Sequence, residues 1–222
     1  MSEYTSTIRQ DFDVISAFPA KKWDHNKEFY KFVIKNLPAN CKNVLEIGSG
    51  QGKLCKEVAK YSESVIGLDL SQRMTEHAQK LNSSDNIKYF TADYLNYDFP
   101  ENHLECIITM AVLHHINFDS FAEKVKHNLK PNGRLIIIDL LQNSFIENAL
   151  NASVSIPLGI AKNIYHNGFI RTPKTERDQW KKHSATDVYL TYRELIKLAN
   201  KYFPGAEIKR QLFWRYSLVW TE

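Results

Sequence analysis

The chain has 222 residues, 43% hydrophobic and 24% charged, with a formal net charge of +4. That length and composition suit one globular domain with a sizeable core. The charge is too slight to imply a nucleic-acid face without a concentrated basic patch, and no stretch approaches the length and apolarity of a membrane span.

The segment Met1–Val14 lacks the apolar stretch and small-residue cleavage site of a signal peptide. The three cysteines, Cys41, Cys55 and Cys106, are odd in number and show no Cys-x-x-Cys spacing. This argues against a disulfide framework and against a metal site, and fits a reducing, cytoplasmic setting.

In chain order, Phe29, Phe32, Val33 and Leu37 fall at helical spacing before Pro38. Asn43–Ile47 reads as a short buried strand. Leu54, Val58 and Tyr61 make one helical face, and Ser64–Leu70 a second strand. Ser71 caps a helix that turns Met74, Ala78 and Leu81 inward. Ile87–Ala92 and Leu104–Met110 read as strands three and four. Phe121, Val125 and Leu129 mark a helix closed by Pro131-Asn132-Gly133, and Arg134–Leu141 is strand five.

Strands alternating with helices predict an α/β fold: a doubly wound, mostly parallel sheet covered on both faces. The near-continuous apolar strands agree with burial on both sides. Roughly fifty residues, Gln142 to Leu190, then hold no comparable strand, which is too long for a bare loop. They are expected to form one or two helices in a lid over the functional edge. Thr191 and Glu194 form a capping box before a last helix. Ala206–Leu212 and Arg215–Thr221 read as two strands whose short connection makes them antiparallel. The expectation is one domain, 1–222: an N-terminal helical cap (1–40), a ligand-binding core (41–141), a helical insertion (142–190) and a final helix with a strand pair (191–222).

The stretch VLEIGSGQGKL (44–54) leaves strand one at the edge where open α/β sheets bind ligands. A phosphate-binding loop would need Ser or Thr where Leu54 stands and Gly where Ile47 stands. A dinucleotide fingerprint would place its third glycine one residue beyond Gly52. Acids surround the loop instead: Glu46 before it, Asp69 ending strand two and Asp93 ending strand three. They would repel a pyrophosphate and suit a ligand bearing a ribose, an adenine and positive charge.

VLEIGSGQG, GLDLS, TADYLNYDFP, ECIITMAVLHHI and LKPNGRLIIIDL, in this order, resemble the successive motifs of the class I S-adenosylmethionine-dependent methyltransferases. Within that family the pattern is similar to the ubiquinone/menaquinone-biosynthesis-like, small-molecule group. The resemblance is strong over about residues 40–140 and extends in pattern over 190–222. It implies a Rossmann-like seven-stranded sheet with an antiparallel last strand, and S-adenosyl-L-methionine as cofactor, released as S-adenosyl-L-homocysteine.

Carried onto this sequence, the resemblance places Gly48, Ser49 and Gly50 under the methionine part and Glu46 toward its ammonium. Gly52 would allow close packing. Asp69 would hold the ribose, with Leu70 and Met74 at the adenine. Asp93 and Tyr94 would read the adenine edge, and Met110, Ala111 and Val112 would lie beside the sulfonium. Lys53 is expected to point to solvent.

In-line methyl transfer needs alignment more than a protein nucleophile. A base is needed only when the acceptor must lose a proton, and His115, with His114 second, is the candidate. The family's amino methyltransferases carry an Asn/Asp-Pro-Pro-aromatic motif where this chain reads MAVLHH, which argues against DNA-base and glutamine-amide targets. The basic stretches 171–182 and 209–215 read as solvated surface.

Aromatic residues outside the sheet, Trp23 and Tyr165 among them, are candidates for a chamber around a small, partly apolar acceptor. The expected reading is a small-molecule methyltransferase, monomer or homodimer, engaging neither membrane nor nucleic acid. A tRNA or protein methyltransferase and a non-catalytic S-adenosylmethionine-binding partner subunit remain as alternatives.

Overall fold

The computed structural model describes residues 3–185 and 187–222. Met1, Ser2 and Thr186, which fall within the expected cap and insertion, lie outside the described residues. Seven strands form one sheet in the order β3-β2-β1-β4-β5-β7-β6. They are β1 (Cys41–Ile47), β2 (Ser62–Asp69), β3 (Ile87–Thr91), β4 (Leu104–Met110), β5 (Leu129–Leu140), β6 (Glu207–Gln211) and β7 (Arg215–Thr221). β7 runs antiparallel to both β5 and β6, and the pairings among β1 to β5 are parallel.

Because side chains alternate across a strand, the central strands feed two cores. Leu45, Ile107, Leu135 and Ile137 face one side, where α5 (Phe118–Asn128) and α8 (Tyr192–Tyr202) bring Phe121, Val125, Leu195 and Ala199. Val44, Cys106, Ile136 and Ile138 face the other. There α2 (Tyr30–Lys35), α3 (Lys53–Val58) and α4 (Gln72–Leu81) bring Val33, Leu54, Val58 and Ala78. All three cysteines are buried and form no disulfide.

The caps follow the sequence. Ser71 Oγ accepts from Met74 N–H at 3.1 Å, and Thr191 and Glu194 form their reciprocal capping box. Three expectations need correction. Tyr61 is 57% exposed, because α3 ends at Val58 and a 3₁₀ turn, Ala59–Tyr61, breaks the helical spacing. Leu81 ends α4 beside the edge strand β3 and is 51% exposed. Pro131-Asn132-Gly133 lies inside β5 as an irregularity in its pairing with β4 and does not close α5.

The segment 142–190 holds two helices, α6 (Phe145–Asn167) and α7 (Lys174–Ser184), and α1 (Glu3–Ile15) covers the same sheet edge from the N-terminus. α1 meets α7 through Asp11, which faces His183 Nδ1 at 3.3 Å, and through Phe12, whose ring centroid lies 4.7 Å from that of His183. Asp13 accepts from Ser71 Oγ at 2.6 Å, tying α1 to the start of α4. α6 instead packs beside the N-terminal segment: Asn167 bonds both the N–H and the C=O of Trp23, and Lys162 pairs with Glu28.

Gly52 sits at φ 75°, where a Cβ would lie 2.3 Å from Tyr89 Oη. Gly52→Ala is expected to cost about 2 kcal/mol or more through left-handed strain and this clash. A urea titration against wild type measures it.

Candidate active site

The loop after β1 closes onto β2. Gly48 and Ser49 N–H both donate to Leu68 O, at 2.8 and 2.9 Å. Gly50 N–H donates to Asp69 Oδ2 at 2.8 Å, and Ser71 N–H to Asp69 Oδ1 at 2.9 Å. Gly48, Gly50 and Gly52 all have positive φ, a turn that side-chain-bearing residues rarely make. A Cβ on Gly48 would strike Val112 Cγ2 at 2.2 Å, whereas one on Gly50 would meet nothing within 4 Å. Gly50 therefore borders open space.

That space is a cavity of about 940 Å³, near the upper end of ligand-site volumes. Glu46, Gly48, Ser49 and Gly50 line it from β1 and its loop; Asp69, Leu70 and Met74 from β2 and α4; Asp93 and Tyr94 from beyond β3; Met110, Ala111 and Val112 from β4. His114 and His115 line its other end. Of the predicted cofactor residues only Gly52 is absent from the wall; it lies beneath the loop against Tyr89.

Glu46 and Asp69 are shifted by enclosure. Burial pushes the Glu46 carboxyl up to about 8, against the hydrogen bond it accepts from Cys55 Sγ at 2.8 Å. Burial likewise raises Asp69 to about 6, opposed by the N–H groups of Ser71 and Gly50. Asp93 caps the next turn: its Oδ1 accepts Leu95 N–H at 3.0 Å and its Oδ2 an Asn96 Nδ2–H at 2.6 Å. Ser49 Oγ is buried without a hydrogen-bond partner.

The far end holds a histidine–carboxylate cluster. Asp139, near the end of β5, accepts from His114 Nδ1–H at 2.6 Å and from the backbone N–H groups of His114 and Leu140 at 2.9 and 2.7 Å. Burial disfavours charge on both partners, but each overcomes it for the other: His114 is raised and Asp139 lowered. His115 differs. Burial, then His114 and His183, depress it to about 3, so it is neutral. Its Nδ1 lies 3.2 Å from Tyr4 Oη and 3.6 Å from Asp187 Oδ1, and its Nε2 has no partner. Tyr189 O–H donates to Asp187 Oδ2 at 2.7 Å. His114, His115 and Asp187 each offer an atom within 4.8 Å of the others, spacing that a divalent cation can bridge. The cysteine pattern could not disclose this grouping.

Other sequence-based expectations need correction. Trp23 is buried outside the cavity, its indole N–H bonded to Glu28, and fastens the N-terminal segment to α6. Tyr165 is 84% exposed and borders a separate shallow groove. α6 contributes nothing to the cavity wall; α1 and α7, with Tyr4, Phe12 and Trp180, form the cover. Lys53 does not point to solvent: its Nζ donates to Lys21 O at 3.0 Å and approaches Asp24 Oδ2 at 3.4 Å. Arg215, expected on a solvated surface, is 8% exposed and lines the cavity. Asp139 stands in the motif LKPNGRLIIIDL without an assigned role and Tyr189 is one of the aromatic residues outside the sheet; Asp187 carried no signal, and only convergence in space joins the three.

A methyltransferase domain is matched over residues 45–137. A Dictyostelium discoideum methyltransferase is 31% identical over 113 residues, 51% of this chain and 42% of that protein. The chain thus spans less than half the length of that relative. An uncharacterized Mycobacterium bovis methyltransferase is 22% identical over 203 residues, 89% of this chain and 96% of that protein. Among solved structures, the DhpI–SAH complex aligns with a TM-score of 0.63 at 16% identity, covering 98% of this chain and 95% of that one. Its fold is the one described above.

The Glu46 shift sets a pH dependence. An acid raised in the folded state favours folding while protonated, so stability should fall as pH rises from about 4.5 to about 8 and level off above. The contribution is at most about 5 kcal/mol. Glu46→Gln should flatten this slope in thermal melts of the unliganded protein.

Proposed function

We propose that the chain is a class I S-adenosylmethionine-dependent methyltransferase that moves a methyl group from S-adenosyl-L-methionine to a small-molecule acceptor by in-line displacement, a reading supported by the methyltransferase domain matched over residues 45–137. The observation that carries this reading is one cavity joining the glycine loop and its three acids to the histidine cluster. Its volume of about 940 Å³ suits a nucleoside cofactor together with a small acceptor.

The residues fit the cofactor. Glu46, protonated without a cation beside it, would ionise against an α-ammonium. Asp69 and Asp93 present carboxylates where ribose hydroxyls and an adenine amine need acceptors. Gly50 leaves room for close approach, and the orphaned Ser49 hydroxyl offers a further bond. When bound, the sulfonium supplies an activated methyl group. The chain's own contribution is to hold the acceptor in line and exclude water beneath α1 and α7.

Where the acceptor must lose a proton, His115 takes it. It is neutral and its Nε2 is unpartnered, whereas His114 carries its proton against Asp139. A cytoplasmic setting is part of this reading, which the three scattered cysteines suit; among the described residues no helix is long and apolar enough to cross a membrane.

Calorimetry against S-adenosylmethionine, S-adenosylhomocysteine and NAD tests the cofactor class. Binding of the first two and not the third is expected, weakened at least tenfold by Asp69→Asn. Labelled methyl donor with a metabolite extract should mark a small product, and bound cofactor without any turnover would turn the reading toward a partner subunit. His115→Ala is expected to lower turnover by about 10²-fold with cofactor affinity unchanged; full turnover would remove the base role.

A further inference from the structure

Among the described residues, Arg215 is a buried cation with no carboxylate paired to it, in the half of the cavity that the cofactor-binding residues leave free. β7 begins at Arg215 beside Leu140 of β5, at the same sheet edge as the glycine loop. The strand order puts β4 and β5 between it and β1, roughly 14 Å at about 4.8 Å per strand. Asp69 and Asp93 lie in the opposite direction, after β2 and β3.

Among the described residues the guanidinium makes two hydrogen bonds, both to neutral oxygens: Nη1–H to Phe213 O at 3.1 Å and Nη2–H to Asn26 Oδ1 at 2.5 Å. Its Nε–H has no partner, so most of its donors are unused. Among the described residues no carboxylate pairs with it. Asp139 is occupied by His114 and Leu140, and Asp24 by the N–H of Asn26 and by Lys53. A buried charge left unpaired is costly.

The backbone that aims this side chain is itself strained. Phe213 and Trp214 are consecutive aromatic residues at φ 57° and 58°, in a region that bulky residues avoid. Ser155 Oγ and Asn151 Oδ1 of α6 hold them through their N–H groups at 2.9 and 3.2 Å. Phe213 also stacks on His25, with centroids 4.5 Å apart.

We propose that Arg215 is the anchor for the methyl acceptor, which carries a carboxylate or phosphoryl oxyanion on a partly apolar body. The planar fork of the guanidinium matches two oxygens of such a group, and Phe12, Trp180 and Phe213 supply apolar wall around the rest. The assignment rests on the methyl-transfer reading for the identity of the bound molecule as acceptor. The oxyanion site itself rests on the unpaired guanidinium.

The test is calorimetric titration of the full chain, with and without saturating S-adenosylhomocysteine. Benzoate, phenyl phosphate and inorganic phosphate are the oxyanion probes; benzamide and phenol are the neutral ones. At least one oxyanion should bind at least tenfold more tightly than the neutral probes. Arg215→Gln should lose that binding tenfold or more and Arg215→Lys recover part of it, with S-adenosylhomocysteine affinity within threefold of wild type in both. That affinity also certifies that the variants fold; should Arg215→Gln fail to melt cooperatively, Arg215→Lys carries the comparison through its weaker oxyanion binding.

Equal binding of neutral probes, or oxyanion binding indifferent to both substitutions, overturns the proposal. So does a tenfold loss of S-adenosylhomocysteine affinity in a folded Arg215 variant, which would assign the guanidinium to the cofactor's own carboxylate. Wild-type protein that binds an oxyanion but no S-adenosylhomocysteine overturns the methyl-transfer reading, and with it Arg215 as an acceptor anchor.

Discussion

Asp69 accepts hydrogen bonds from two loops at once, Gly50 N–H on one side and Ser71 N–H on the other, and the site depends on this. The carboxylate ends β2, so it can reach the loop after β1 only because the two strands are parallel neighbours. Gly48, Gly50 and Gly52 bring the loop back at positive φ, and the helix behind it then starts against β2. Without that clamp the cavity would have no floor beneath the proposed cofactor position.

The two ends of the cavity use opposite electrostatic strategies. Around the glycine loop, Glu46 and Asp69 are enclosed without a paired cation and held above their ordinary range, a state that a cationic ligand relieves. Around the histidines, Asp139 is matched by His114, and Asp187 accepts the hydroxyl of Tyr189. Arg215 feels the Asp139 carboxylate without bonding to it, so its free donors bear on what enters from that side. Burial makes each difference large, because solvent does little to screen a charge there.

The cover unites segments distant in sequence. Asp11 meets His183 and Lys21 meets Glu176, at 3.3 and 2.5 Å, so residues of the N-terminal segment close against α7 across more than half the chain. These polar contacts sit among aromatic rings, Phe12 and Trp180 with centroids 6.2 Å apart. Such an interface combines apolar enclosure with contacts that can part when ligands exchange.

Local signals in the sequence determined the alternation of strands and helices, the glycine loop and the three acids at successive strand ends. Each depends on residues within a few positions: apolar runs, caps and glycines needed for positive φ. The short link between the last two strands already made them antiparallel, the resemblance implied the same, and the sheet contains it. Tertiary structure alone decided the rest. Arg215 looked like surface because a basic residue in a strand is expected to alternate outward; β7 lies between β5 and β6, so nearly all its residues are buried. Trp23 and Tyr165 had the right chemistry for a cavity wall, but a helix supplies no sign of which neighbour it will meet. Asp139 and Asp187 became neighbours of His114 through sheet order and the fold of the 142–190 segment, contacts between residues too far apart in the chain for any local pattern to encode.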